Sequence, residues 1–212
     1  MRLDLTPEML LQAYRLGVFP MADDRDGSRL YWFDPVQRGI LPLEGFRMSR
    51  SLRRRIRAMP FRLTLDHAFS DVIAGCADRE TTWINAEITQ LFETLHHLGH
   101  AHSIEVWDND ALVGGVYGLA LGGLFCGESM FSRRRDASKI ALAFLVTHLR
   151  ACGFRLFDTQ YLTAHLASLG GIEISRATYR AQLADALGAD AAFHRFPLPD
   201  TQDVLQRNTQ RS

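Results

Sequence analysis

Lysine is nearly missing from this chain: Lys139 stands alone among 24 basic residues, and the other 23 are arginine. A GC-rich genome accounts for that bias by itself. Cysteine is scarce too. Cys76, Cys126 and Cys152 form no CxxC and cannot all pair, which argues against a disulfide scaffold and fits a reducing, cytoplasmic compartment. No apolar run approaches the ~20 residues that a membrane span needs, and the opening MRLDLTPEM lacks the apolar stretch of a secretory signal. An excess of either charge is also absent, since the formal net charge is zero. What remains is ordinary globular composition, 47% hydrophobic and 23% charged over 212 residues. Disordered, collagen-like and low-complexity chains are excluded. The length suits one domain of roughly 150–200 residues with a small addition.

Acid is missing in one place that matters. From Arg47 through Arg62 there are seven arginines and no Asp or Glu, so a neutral protein carries one strongly basic segment suited to a polyanion. Thr6-Pro7 opens a helix that Gly17 ends. Asp23 to Ser28 reads as a polar loop, Leu30–Phe33 as a strand and Asp34-Pro35 as a turn. This separates a small N-terminal element, 1–34, from a main domain, 35–212. Ser49 caps a basic helix over 50–58, and Phe61–Leu65 alternates like a strand. Helices are expected over 68–77 and 85–98. The strands Ile104–Trp107, Leu112–Leu121 and Leu124–Phe131 have connections short enough for an antiparallel meander. A helix over 137–151 then leads to a strand, Phe154–Asp158, beside the third. Helices over 162–168 and 175–187 and a polar tail after Gly188 complete the chain. The fold class is α/β (α+β) with a mixed sheet, in the element order of GNAT-like acyltransferases.

Four groups carry candidate chemistry. Glu128 interrupts the apolar strand Leu124–Phe131, where a carboxylate is costly unless it is paired or solvated. Asp158 and Gln160 are two apart at a strand end and share a face. The segment Ser132–Lys139 gathers three arginines and the lysine before a helix, a favourable place for an anion. It has no glycine, unlike the pyrophosphate loop of an acetyl-CoA enzyme. The basic helix, with Arg50, Arg53 and Arg54, suits nucleic-acid phosphate. The run His96, His97, His100 and His102 straddles a helix end, Gly99 and a strand start, without a matched Cys or carboxylate set, and no metal is expected there.

Together, these segments resemble the leucyl/phenylalanyl-tRNA–protein transferase family. The resemblance runs from Leu10 to about Tyr179. It is carried by Ala13-Tyr14-Arg15-Leu16-Gly17-Val18-Phe19-Pro20, by Trp32, Pro35 and Arg38, and by Thr82-Trp83-Ile84. Further matches are Gly99–Trp107, Leu112–Gly118, Phe125–Ser132, Ala137-Ser138-Lys139, Asp158-Thr159-Gln160, His165–Gly171 and Arg176. The chain begins later than fuller members of that family, so its N-terminal element is expected to be reduced.

The resemblance implies an aminoacyltransferase of the N-degron pathway. It would move Leu or Phe, with Met as a further donor, from tRNA to proteins whose N-terminal residue is Arg or Lys. It implies no cofactor, no membrane and a monomer. Asp158 is then expected to take the proton of the attacking amine, Gln160 to orient the amine or the ester, and Glu128 to meet the cationic acceptor side chain. Val116, Phe125, Gly127, Leu142 and Leu145 would hold the donor side chain. Trp83 would stack on the terminal adenine, while Arg50, Arg53, Arg54, Arg134, Ser138 and Lys139 hold phosphates. Two alternatives stay open: an acetyl-CoA-dependent N-acetyltransferase of the same fold, and a non-catalytic tRNA or N-degron binder.

Overall fold

The computed structural model describes residues 5–22 and 30–207. The first helix, Pro7–Arg15 (α1), starts where Thr6 Oγ1 accepts the Met9 N–H at 3.3 Å and proline occupies the first turn. Gly17, at φ +81°, turns the chain out of it. Phe19–Ala22 (β1) and Leu30–Phe33 (β2) then pair antiparallel, with Phe19 opposite Phe33 and Pro20 opposite Trp32. The polar stretch from Asp23 to Ser28 lies outside the described residues.

The main sheet has seven strands. These are Gln37–Ile40 (β3), Arg62–Leu65 (β4), Ala101–Asp108 (β5), Ala111–Leu121 (β6), Leu124–Ser132 (β7), Leu156–Gln160 (β8) and Ile172–Ser175 (β9), in spatial order β4-β5-β6-β7-β8-β3-β9. Strands β5 to β7 form the antiparallel meander that their short connections require. The helix Ala137–Ala151 (α5) carries the chain across to β8, which runs parallel to β7. Pairing of β7 with β8 covers Leu124–Leu156, Phe125–Phe157 and Cys126–Asp158. Beyond Cys126 and Asp158 the two strands part, while β7 continues to Ser132 and β8 to Gln160. A cleft opens where they part.

Each sheet face has its own core. One is filled by α5, with Arg50–Ala58 (α2) and Thr201–Arg207 (α8) packed beside it. The other is covered by α1, Phe69–Ala77 (α3), Ala86–His97 (α4) and Arg176–Leu187 (α7). A short helix, Ala164–Ser168 (α6), follows β8. Strand β8 lies two residues later than its apolar pattern predicts, because the N–H groups of Arg155 and Leu156 both donate to Gly123 O, at 2.8 and 3.2 Å, before the ladder begins. Strands β1, β3 and β9 escape the pattern altogether; each is four residues long. The polar tail is a further correction. Asp200 Oδ1 accepts the Asp203 N–H at 2.8 Å, and α8 buries Val204 completely in the α5-side core.

A bulge lies between Tyr117 and Gly118 where β6 meets β7. A Cβ at Gly118 would stand 2.2 Å from Cys126 O and 2.5 Å from Phe125 Cε1. Gly118→Ala is therefore expected to cost about 1–3 kcal/mol, read as a lower urea midpoint with unchanged slope.

Candidate active site

The strand end carrying Asp158 is tied down by a buried ion pair. Asp158 has no exposed surface, and Arg38, on β3, is 1% exposed. Arg38 Nε donates to Asp158 Oδ1 at 2.9 Å and its Nη2 to Oδ2 at 2.6 Å, the two-pronged match of guanidinium to carboxylate. Oδ2 also accepts Tyr179 OH at 2.8 Å and the Cys126 thiol at 3.6 Å; Oδ1 accepts the Gln160 N–H at 2.9 Å. The guanidinium lies between the rings of Phe19 and Tyr179, 4.4 and 4.5 Å from their centroids. Its Nη1 donates to Gly17 O at 3.0 Å. Burial alone would lower the Arg38 pKa, but its hydrogen bonds to Asp158 and the attraction between them raise it instead. Burial, then Asp158, pushes the Tyr179 hydroxyl upward.

In front of this pair lies a cleft of about 300 Å³. One wall is the N-terminal hairpin, through Phe19, Pro20 and Met21; another is β7, through Gly127 to Met130; Phe157, Thr159 and Gln160 close it from β8. Gln160 takes φ +59°, a left-handed conformation that is uncommon outside glycine. The Asp158 carboxylate holds it there through the Gln160 backbone N–H. Its side-chain amide is satisfied with NH₂ donating to Gly127 O and Thr159 O, each at 3.0 Å, which turns the amide oxygen away as an acceptor. Half-buried Glu128 accepts Tyr14 OH from α1 at 2.7 Å. Burial drives the Glu128 carboxyl up to about 8; the Tyr14 hydrogen bond opposes the shift and the charge of Asp158 adds to it.

The structure brings part of the expected set together. Glu128, Gln160, Val116, Gly127, Leu142 and Trp83 all line the cleft. Asp158 does not; it lies behind Gln160. Phe125 and Leu145 are a correction: both are buried outside the lining. Phe125 meets Phe157, a lining residue, edge-on at 5.4 Å, so it supports the wall rather than forming it. Gly127 is required here, because a Cβ would stand 2.6 Å from Phe157 Cε2.

A second hollow, of about 430 Å³, shares Arg79 and Met130 with the cleft and reaches Ser138 at the start of α5. Beside it, Arg133 meets Asp78 at 3.0 Å, Arg134 meets Asp108 at 3.5 Å and Lys139 meets Asp136 at 3.3 Å. The Arg133 and Arg134 pairs are exposed, so they are weak and exchangeable. Arg50 and Arg54 are exposed on α2 and Arg53 is half-buried, all outside the cleft lining. The site residues missed from composition and spacing are Arg38, Tyr179, Tyr14 and Arg79. Arg38 belongs to the family resemblance, but an arginine in QRGI gives no sign of complete burial.

The family model described as leucyl/phenylalanyl-tRNA protein transferase matches residues 40–184, and the one for that protein's N-terminal domain matches residues 3–36. A leucyl/phenylalanyl-tRNA–protein transferase of Ruegeria sp. (strain TM1040) is 59% identical over 208 residues, 98% of this chain and 99% of that one. The protein of the same name from Cereibacter sphaeroides is 58% identical over 209 residues, 98% of each chain. That of Ruegeria pomeroyi is 56% identical over 210 residues, 99% of this chain and all of that one. Among solved structures, FemX superposes with TM-score 0.52 at 10% identity, covering 82% of this chain and 68% of that one. The α/β, GNAT-like arrangement expected from element order is the fold observed.

Two outcomes follow from the charges. Removing one partner of a buried pair strands the other, so Arg38→Met should cost about 3–5 kcal/mol. Adding Asp158→Asn to it should recover part of that loss, measured by a double-mutant cycle in urea. For Glu128, the folded pKa of about 8 exceeds its ordinary 4.5. The group therefore favours the folded state below the lower value and loses that stability as pH rises through the upper one. Glu128→Gln should gain in Tm relative to the wild type between about pH 5 and 8, with the difference level above that.

Proposed function

Because the chain belongs to the leucyl/phenylalanyl-tRNA–protein transferase family, we propose that this cleft joins the amino acid of an aminoacyl-tRNA to the α-amino group of a protein beginning with Arg or Lys. The chain is an aminoacyltransferase acting from tRNA onto proteins. The acceptor choice, the residue roles, a monomeric state and a cytoplasmic setting are our reading. The observation that carries it is the joint placement of Gln160 and Glu128 in one cleft beside the apolar residues Val116, Leu142 and Phe157.

The donor is an ester and already activated, so the reaction needs only position, charge and a route for one proton. The Leu or Phe side chain enters among Val116, Leu142 and Phe157, with Gly127 leaving room. Trp83 stacks on the terminal base. Exposed arginines of α2, together with Arg134, Ser138 and Lys139, hold phosphates; their acidic partners are displaced on binding. We divide the chain into a small element, 1–34, whose Phe19, Pro20 and Met21 wall the cleft, and a domain, 35–212.

The acceptor amine, with an ordinary pKa of about 7.7–8.0, is free base in useful amounts at neutral pH. It attacks the ester carbonyl carbon, a C–N bond forms, the C–O bond to the tRNA 3′ end breaks, and the amine proton ends on the departing 3′ oxygen. The Gln160 amide oxygen orients the attacking amine. Glu128 pairs with the acceptor's guanidinium or ammonium, and that cation holds it ionised despite burial. For Asp158 we replace proton acceptance with positioning. Its oxygens already accept from Arg38, Tyr179, Cys126 and the Gln160 backbone, and it has no exposed surface. An acetyl-CoA reaction is disfavoured by the α5 start, which has no glycine between Ser132 and Lys139.

The deciding assay uses radiolabelled Leu-tRNA with a peptide beginning with Arg and a control beginning with Ala; RNase-treated and acetyl-CoA arms run in parallel. Label on the Arg peptide alone, abolished by RNase, is expected. Label on both peptides would overturn the acceptor reading, and acetyl transfer would overturn the donor. Gln160→Ala should lose about 10²-fold in kcat, the scale of a misplaced reactant. Glu128→Gln should act mainly on KM for the Arg peptide. Asp158→Asn should lower kcat while leaving the shape of the pH–rate curve unchanged; loss of one limb of that curve would restore Asp158 as the proton acceptor.

A further inference from the structure

Away from the cleft, at the β4–β5 corner, the chain collects a carboxylate and two imidazoles. Asp66 Oδ2 lies 2.7 Å from His102 Nδ1 and 2.9 Å from His194 Nε2. All three ligand-capable atoms lie within 4.8 Å of one another. The elements that bring them together are separate in sequence. Asp66 follows β4, His102 belongs to β5, and His194 arrives with the segment between α7 and α8.

The surroundings orient two of the three. Asp66 Oδ1 accepts the Ser103 N–H at 2.6 Å, which fixes the carboxylate and leaves Oδ2 to face the rings. The His102 ring is stacked on Phe193, centroids 4.0 Å apart and 10° from parallel. The Asp66 and His102 side chains are 10% and 4% exposed; that of His194 is 60% exposed and free to adjust. Of the run His96, His97, His100 and His102, where spacing predicts no metal, only His102 takes part. Its partners lie 36 residues before and 92 residues after it, where spacing cannot reveal them.

We propose that Asp66, His102 and His194 form a binding site for a divalent transition metal of the Zn²⁺ class, with a fourth position open to solvent beside His194. Two imidazoles and a carboxylate are the donors that zinc takes with bonds of about 2.0–2.2 Å. Tetrahedral bonds of that length set the ligand atoms about 3.3 Å apart. Both hydrogen-bonded spacings must therefore open by roughly half an ångström: the exposed His194 can swing outward, and the Asp66–His102 contact must relax with it. The role is structural. The ion would fasten Phe193, which is buried against His102, Phe125 and Phe154, to the edge of the sheet.

The test uses the full chain, free of any affinity tag and stripped with EDTA, then titrated with Co²⁺ and Zn²⁺ near pH 7.5. One equivalent of Co²⁺ should give visible d–d absorption of a nitrogen and oxygen environment, and Zn²⁺ should displace it. Tm should rise with Zn²⁺ concentration, as mass action on the folded state requires. His194→Ala, at an exposed position, should fold and lose both signals; His97→Ala should keep both. Absence of the Co²⁺ bands and of the Tm shift overturns the site. So does binding that survives His194→Ala, or binding lost in His97→Ala, which would assign the metal to the 96–100 run.

Discussion

The buried pair of Arg38 and Asp158 is the constraint from which the site is built. A carboxylate with no exposed surface is tolerable only when a full set of donors meets it. Here the donors come from β3, β7, α7 and the residue two positions further along β8. Because Arg38 also donates to Gly17 O and lies against Phe19, one ion pair joins the N-terminal hairpin to the centre of the sheet. Breaking it would release the hairpin wall, the β8 terminus and the backbone of Gln160 together.

The sheet supplies the opening and the pair keeps it in shape. Strands β7 and β8 are hydrogen-bonded only as far as Cys126 and Asp158. Glu128 and Gln160 both come after the last paired residues, so their side chains reach the gap instead of a core. The two carboxylates have opposite environments. Asp158 is saturated with donors beneath the floor, whereas Glu128 has one tyrosine hydroxyl and a costly degree of burial. Such a division of environments is what the different tasks proposed for the two acids rest on.

Much of this was legible in the sequence because periodicity and turn chemistry report on burial. The meander, α5 over 137–151, and the caps at Thr6 and Ser49 are where the residues said they would be. Glu128 and Gln160 line the cleft. Strands β1, β3 and β9 were not legible; QRGI, for one, buries an arginine and follows no alternation. The packing of α8 depends on Val204 and the half-buried Leu205, whose partners are distant in sequence. Nor could spacing distinguish Val116 and Leu142, which line the cleft, from Phe125 and Leu145 behind it; all four are apolar and buried. Spacing put Asp158 on the same face as Gln160, but only tertiary contacts show how many donors it already has.

The close approach of Gly127 to Phe157 makes the cleft a gauge. Where a hydrogen replaces a methyl, the Phe157 ring lies directly against the β7 backbone, and the room left for an incoming side chain is fixed by the tilt of that ring. The tilt is set in turn by Phe125, packed edge-on behind it. On the reading that this cleft takes the donor side chain, selectivity among apolar amino acids can drift through the rear layer, by changes at residues outside the lining.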